Sequence, residues 1–199
     1  MNESQRPSDY PAWFRAFARL IYRIVGWHVE GAAPNIPRFV VVGAPHTSNW
    51  DGIVMFFTSV ILGMRMYWLG KHTLFKPPLG WLMRWASGIP INRESSKNAV
   101  EQAIDIFEER DRFVLLLAPE GTRKKVDHWK TGFYYIALGA KVPIVLGYVD
   151  YPRKRSGLGP VIMPSGDIEA DFEQIRAFFA DKVGRHPDQK GAIALPPKA

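Results

Sequence analysis

Three segments read as nearly uninterrupted runs of valine, isoleucine, leucine and phenylalanine: residues 38–43, 113–118 and 142–149. A strand with one face in water alternates apolar and polar side chains, whereas a continuous apolar run suits a strand covered on both faces. Between the runs lie segments with helical periodicity. In residues 98–110, Val100, Ala103, Ile104 and Phe107 fall on one side and Glu101, Asp105 and Glu108 on the other. Strands of this kind separated by helices predict an α/β fold, a single domain with a mostly parallel or mixed central sheet flanked by helices. Weaker extended pieces are expected at 27–31, 66–69 and 89–92. Helices are expected from about 52 and at 79–86, 132–140 and 168–183. Residues 151–164 read as an irregular hairpin rich in Pro, Gly and Arg. At 199 residues the chain has room for one such domain, taken as 27–184, with 185–199 an aperiodic tail expected to be disordered.

Residues 1–26 are read separately. Trp13, Phe14, Phe17, Leu20, Ile21, Ile24 and Val25 recur at helical spacing, with Arg15, Arg19 and Arg23 on the opposite side. Such an N-terminal amphipathic helix suits the boundary of an anionic bilayer. It equally suits a terminal helix packed on its own domain with a solvated arginine face. The polar start MNESQRPSDYP lacks the apolar stretch of a secretory signal. The uncharged run 52–64 is shorter than the ~20 residues of a spanning helix. The expected location is cytoplasmic, peripheral on the inner face of the cell membrane.

Charge and cysteine usage narrow the chemistry. Net charge is +7, and it is uneven: residues 112–165 hold nine lysines and arginines against three acids, and residues 31–95 six against two. Such a surface favours anionic partners. With no cysteine there is no disulfide, no thiolate nucleophile and no cysteine-ligated metal, as expected in a reducing compartment. The G-x-S-x-G, G-x-x-x-x-G-K-[ST] and H-E-x-x-H motifs are absent, and the five histidines are too scattered for a local zinc pattern.

Two strand ends carry reactive side chains. Ala44-Pro45-His46-Thr47-Ser48-Asn49-Trp50-Asp51 follows the first apolar run and opens a helix. Ligands gather at the carboxyl ends of strands in open α/β sheets. If the helix starts near Asn49, Asp51 lies in its first turn, where the helix dipole favours an anion. It can then accept a hydrogen bond from one ring nitrogen of His46, leaving the other to take a proton. That is a base and its orienter without a side-chain nucleophile, so the attacking group is the substrate's own hydroxyl. Taken alone, this spacing also describes a loop histidine and a plain helix cap. The second run feeds Pro119-Glu120-Gly121-Thr122-Arg123-Lys124-Lys125. There Gly121 permits a tight turn, Arg123 offers a planar fork for phosphate, and Glu120 could fix Arg123 or accept a substrate hydroxyl. A third piece, Gly88-Ile89-Pro90-Ile91-Asn92-Arg93, places another arginine after an apolar segment.

His46-Thr-Ser-Asn-Trp-Asp51, Gly88-Ile-Pro-Ile-Asn-Arg93, Pro119-Glu-Gly-Thr-Arg123 and Val142-Pro-Ile-Val145 resemble, in order and spacing, the four motif blocks of the glycerolipid (lysophospholipid) acyltransferases. These include the 1-acyl-sn-glycerol-3-phosphate acyltransferases. The resemblance spans residues 25–165. It implies that His46 and Asp51 form the catalytic pair and that Arg93, Glu120, Gly121, Thr122 and Arg123 bind the acceptor. It further implies a fatty acyl thioester of coenzyme A or acyl carrier protein as donor, a lysophospholipid acceptor, and no metal or other cofactor. With an acceptor that lives in a bilayer, the membrane reading of the N-terminal helix gains weight. Two alternatives stand beside it: the same scaffold acting on another lyso-lipid or an aminolipid, and a non-catalytic module binding anionic lipid. Nucleic acid is not an expected partner, since no binding signature accompanies the basic residues.

Overall fold

In the computed structural model, residues 8–92 and 98–197 are described. They form β1 (His28–Glu30), β2 (Arg38–Ala44), β3 (Trp68–Lys71), β4 (Gly88–Ile91), β5 (Phe113–Leu117), β6 (Ile144–Asp150) and β7 (Arg155–Ile162). The helices are α1 (Ala12–Val25), α2 (Asn49–Leu62), α3 (Gly80–Trp85), α4 (Ala99–Glu108), α5 (Gly132–Gly139) and α6 (Ile168–Phe179). Five strands make one sheet in the order β1-β7-β6-β2-β5, with every neighbouring pair parallel except β6 and β7. β3 and β4 form a parallel pair joined to the β5 edge through Tyr67, whose amide donates to the Val114 carbonyl at 2.8 Å and whose carbonyl accepts from the Leu116 amide at 2.7 Å.

The apolar runs are central strands, as a two-sided sheet requires. Phe39, Val40, Val41 and Val42 of β2 are wholly buried, and alternation sends them to opposite faces. Phe39 and Val41 pack with Met55 of α2 and with Met64 and Met66. Val40 and Val42 pack with Phe107 of α4, Tyr134 of α5 and Phe172 of α6. The register pairs Val42 with Leu117 and Ala44 with Tyr148, so the carboxyl ends of β2, β5 and β6 lie side by side.

α1 buries the narrow seam of Ala18 and Tyr22 against α2, while Trp13, Phe17, Leu20 and Ile24 stay exposed. The bulky apolar face therefore points away from the domain, opposite to the packed-helix alternative. Tyr22 donates to the Val54 carbonyl at 2.7 Å and joins Thr58 and Ser156 in a buried hydroxyl cluster. Arg15 and Arg19 turn toward the Ile61 carbonyl in the last turn of α2, where the helix dipole attracts cations. Among the described residues, no helix is long and apolar enough to cross a membrane.

Two regions differ from their sequence reading. Residues 155–162, expected within an irregular hairpin, form a regular strand paired on both sides. Gly159 and Pro160 fall where the register with β6 shifts between Val145 and Gly147 and beyond the end of the short β1, so the missing proline N–H costs no ladder bond there. Residues 185–197, expected to be disordered, pack on the domain. Lys190 Nζ donates to the carbonyls of Phe179, Ala180 and Lys182 at 2.7–3.2 Å, satisfying the open end of α6. Ala192 donates to Val126 and Trp129 to Ala194, each at 2.9 Å, and Ile193 and Leu195 lie against the core. Residues this short of periodic pattern earn their order from individual capping and ladder bonds, which composition does not display.

Candidate active site

β2 ends at Ala44, and the chain turns through Pro45 and His46 before Ser48 caps α2. Ser48 and Asp51 make a capping box: Ser48 Oγ accepts from the Trp50 amide at 3.2 Å, and Asp51 Oδ2 accepts from the Ser48 amide at 2.8 Å. The same oxygen takes the Thr47 amide at 2.7 Å and lies 3.4 Å from Nδ1 of His46. Asp51 is thus an N-terminal anion of α2 and the partner of His46 at once. Its other oxygen, Oδ1, accepts from the Tyr151 hydroxyl at 2.8 Å. Burial alone would raise the Asp51 carboxyl. Bonds from His46, the Ser48 amide, Tyr151 and the Thr47 amide outweigh it and hold the group below its ordinary value, as a carboxylate. The His46 side chain is about one-third exposed, and Nε2 has no hydrogen-bond partner among the described residues. The neighbouring hydroxyls are committed elsewhere: Ser48 Oγ caps the helix, and Thr47 Oγ1 accepts from the His186 amide at 3.2 Å.

The loop after β5 closes on this one. Glu120 is buried, and its Oε1 accepts from the His46 amide at 3.0 Å, while Oε2 is buried without a partner. Burial pushes the Glu120 carboxyl up, only partly offset by its own backbone amide and that of His46. Glu120 therefore fixes the backbone of His46, not Arg123. Arg123 instead reaches across to the Asn49 side chain, so its guanidinium stands at the start of α2. Gly121 sits in the left-handed region at φ 64°, where a Cβ would also press on the Lys130 side chain. Thr122 is exposed and its hydroxyl accepts from the Lys124 amide at 3.3 Å. Six of the seven residues singled out from the sequence thus gather where two strand ends meet: His46 and Asp51 in the loop and first helical turn after β2, and Glu120, Gly121, Thr122 and Arg123 in the loop after β5. Arg93 lies outside the described residues. Among the described residues, no three His, Cys, Asp or Glu side chains gather in a way that could hold a metal ion.

The protein-family model described as Acyltransferase matches residues 28–146, more than half of the chain. The chain belongs to that acyltransferase family. Among curated proteins it is similar to the 1-acyl-sn-glycerol-3-phosphate acyltransferase of Streptococcus pneumoniae, 28% identical over 167 residues that cover 79% of this chain. The match takes in 62% of the length of that relative. Among solved structures it is similar to the 1-acyl-sn-glycerophosphate acyltransferase PlsC of Thermotoga maritima. The TM-score is 0.58 at 18% identity, covering 83% of this chain and 74% of the other, a likeness of fold.

The acyltransferase match stops short of two groups that sequence reasoning missed. Tyr151 follows β6, and Gln189 belongs to the segment after α6. The Gln189 amide nitrogen, oriented to satisfy both acceptors, donates to the Thr47 carbonyl at 3.0 Å and the Arg123 carbonyl at 2.8 Å, tying the two loops together. No local signal marks either residue. The strand order alone brings Tyr151 beside Asp51, and nothing short of the fold places Gln189.

Proposed function

We propose that the protein is an O-acyltransferase that moves a fatty acyl group from a thioester of coenzyme A or acyl carrier protein to the hydroxyl of a lysophospholipid. The proposed acceptor is 1-acylglycerol-3-phosphate, giving phosphatidate, and the proposed site of action is the inner face of the cell membrane. The single observation that carries the reading is the His46–Asp51 pair at a strand end, where among the described residues the outer imidazole nitrogen is unengaged and the neighbouring Thr47 and Ser48 hydroxyls are committed elsewhere. Family membership and the printed activities of the two relatives support it.

In this mechanism Nε2 of His46 takes the proton of the acceptor hydroxyl as its oxygen attacks the thioester carbonyl, a role worth ~10²–10⁴-fold. Asp51 keeps Nδ1 protonated and stabilises the imidazolium that forms. The tetrahedral intermediate collapses by breaking the carbon–sulfur bond, and the leaving thiolate receives the proton from His46. Ester and free thiol are the products. Arg123 and Arg93 would bind the acceptor phosphate by charge-assisted bonds, with the turn at Gly121 and Thr122 offering its backbone amides. The unpartnered Oε2 of Glu120 is a buried acceptor kept at a cost to stability, as functional sites often hold. The exposed apolar face of α1 would seat the protein on anionic lipid.

The test is thiol release from palmitoyl-coenzyme A on liposomes, with and without lysophosphatidate, for wild type and His46→Ala. Release that needs both acceptor and His46 is expected. Transfer that survives His46→Ala would sink the assignment of the base, and release without acceptor would make the protein a thioesterase.

A further inference from the structure

Of the fifteen large apolar side chains that stand exposed among the described residues, eleven belong to residues 13–85. α1 accounts for part of this, but a second group lies on and before α3: Leu74, Leu79, Trp81 and Trp85 are each half or more exposed. α3 is held firmly from beneath. Gly80 sits so close to the Phe75 carbonyl that a Cβ would overlap it, and Arg84 donates to that carbonyl at 3.2 Å with its guanidinium over the Phe75 ring. Trp68 Nε1 donates to the Ala86 carbonyl at 2.9 Å. The outward face therefore presents Trp81 and Trp85, four residues apart on one side of the helix, from a fixed base.

This face is continuous with α1. The Trp85 ring lies 6.0 Å from Phe56 of α2, Phe56 lies 6.4 Å from Phe14 of α1, and Phe14 stacks on Phe17 at 6.4 Å. Charge identifies the partner. No Asp or Glu occurs in residues 10–29 or 52–93, while Lys71, Lys76 and Arg84 lie in the same stretch of chain as the exposed tryptophans. The acids concentrate on α4 and α6, which pack on the opposite side of the sheet. Aromatic side chains in a stretch that carries cations and, over the described residues 52–92, no Asp or Glu complement the interface of a bilayer bearing negative headgroups.

We propose that the outer face of α3, with Leu74 and Leu79, inserts into an anionic phospholipid surface as a second contact beside α1. The inference rests on the membrane reading of α1. One amphipathic helix leaves the domain free to roll about the helix axis, whereas two joined contacts set which side of the sheet faces the lipid.

Because the chain has no cysteine, Trp81→Cys carries a single environment-sensitive fluorophore, and Glu108→Cys on α4 serves as the control position. With phosphatidylglycerol vesicles the label at 81 should shift to the blue and brighten several-fold while the label at 108 stays unchanged. With phosphatidylcholine vesicles both should remain in water. A label at 81 that stays in water while the protein co-sediments with the vesicles overturns the α3 contact and leaves that of α1 standing. Failure to sediment at all overturns both. A change that depends on protein concentration without vesicles assigns the face to a second copy of the chain and overturns the proposal. Trp81→Ser with Trp85→Ser, checked for an unchanged unfolding transition, should weaken vesicle partition by about tenfold or more. None of these readouts requires catalysis, so His46→Ala should leave the fluorescence response intact.

Discussion

Asp51 spends one oxygen on two backbone amides and His46, and the other on a phenol that arrives from a hundred residues away. Tyr151 is held edge-on to Trp27 at 5.1 Å, and its own proton is retained because burial and the Asp51 carboxylate both push its pKa up. Tyr151→Phe deletes only the hydroxyl. A lost hydrogen bond to a charged group should lower kcat by about tenfold, with little change in acceptor KM. A raised KM at constant kcat would make Tyr151 a substrate contact instead. Glu120 gives a pH prediction. Its folded pKa is raised, so folding carries a penalty that is fully present above the folded value and gone below the unfolded value of ~4.3. Glu120→Gln keeps an acceptor for the His46 amide without the charge. Its thermal midpoint should exceed that of wild type by about 2–4 °C at pH 8 and converge with it near pH 4. Asp51 has the opposite sign: its pKa is lowered, and the stability it contributes above its unfolded value is lost as pH falls through the folded one. That loss is common to both proteins and leaves the comparison clean. An advantage for Glu120→Gln that persisted below pH 4 would remove the charge from the explanation. The His46–Asp51 pair was legible because the capping box of Ser48 and Asp51 starts the helix just after His46, keeping the two partners within six residues. Tyr151 was not, because its place depends on which strands are neighbours.

Elements with strong periodicity matched their reading closely, since burial of an amphipathic face is what fixes a helix. α4 runs over Ala99–Glu108 within the predicted 98–110, and α6 over Ile168–Phe179 within 168–183. α1 was legible as a helix but not in its orientation: the pattern could not say which face the domain would take. Only the polar anchor of Tyr22 and the small Ala18 reveal that the domain takes the narrow one. The segment after α6 was illegible, because it is held by single hydrogen bonds instead of a repeating stripe. Gln189 tests what that segment does for the loops. Gln189→Ala removes both donors to the Thr47 and Arg123 carbonyls, whereas Gln189→Glu turns a carboxylate against them. Transfer should fall several-fold in the first and further in the second, with the unfolding midpoint nearly unchanged in the first. Equal effects in the two variants would mean that the side chain acts through bulk alone.

At the scale of the molecule, β2 is the axis: β5 and β6 flank it, and the three carboxyl ends bring His46, Asp51, the Arg123 loop and the Tyr151 phenol to one edge. The continuous apolar runs made that arrangement readable, since only interior strands can afford them. The antiparallel β7 was obscured by its Gly and Pro, which belong to a register shift. The acid-free α1 and α3 are separated from the acidic α4 and α6 across the sheet, a contrast that the basic excess of residues 31–95 and 112–165 did not reveal and that shows only once the layers are known. The segment that ties the two loops has a further consequence, one of timing. It follows in sequence every strand and helix it secures, so on the ribosome it emerges after them. At ~5–20 residues per second, α1 is exposed about ten seconds or more before Gln189 exists to join Thr47 to Arg123. On the proposed membrane reading, the lipid-facing helix is thus born early and the loops are fastened late. A growing chain of that kind has time to reach a lipid surface before the loops bearing Thr47 and Arg123 are tied together.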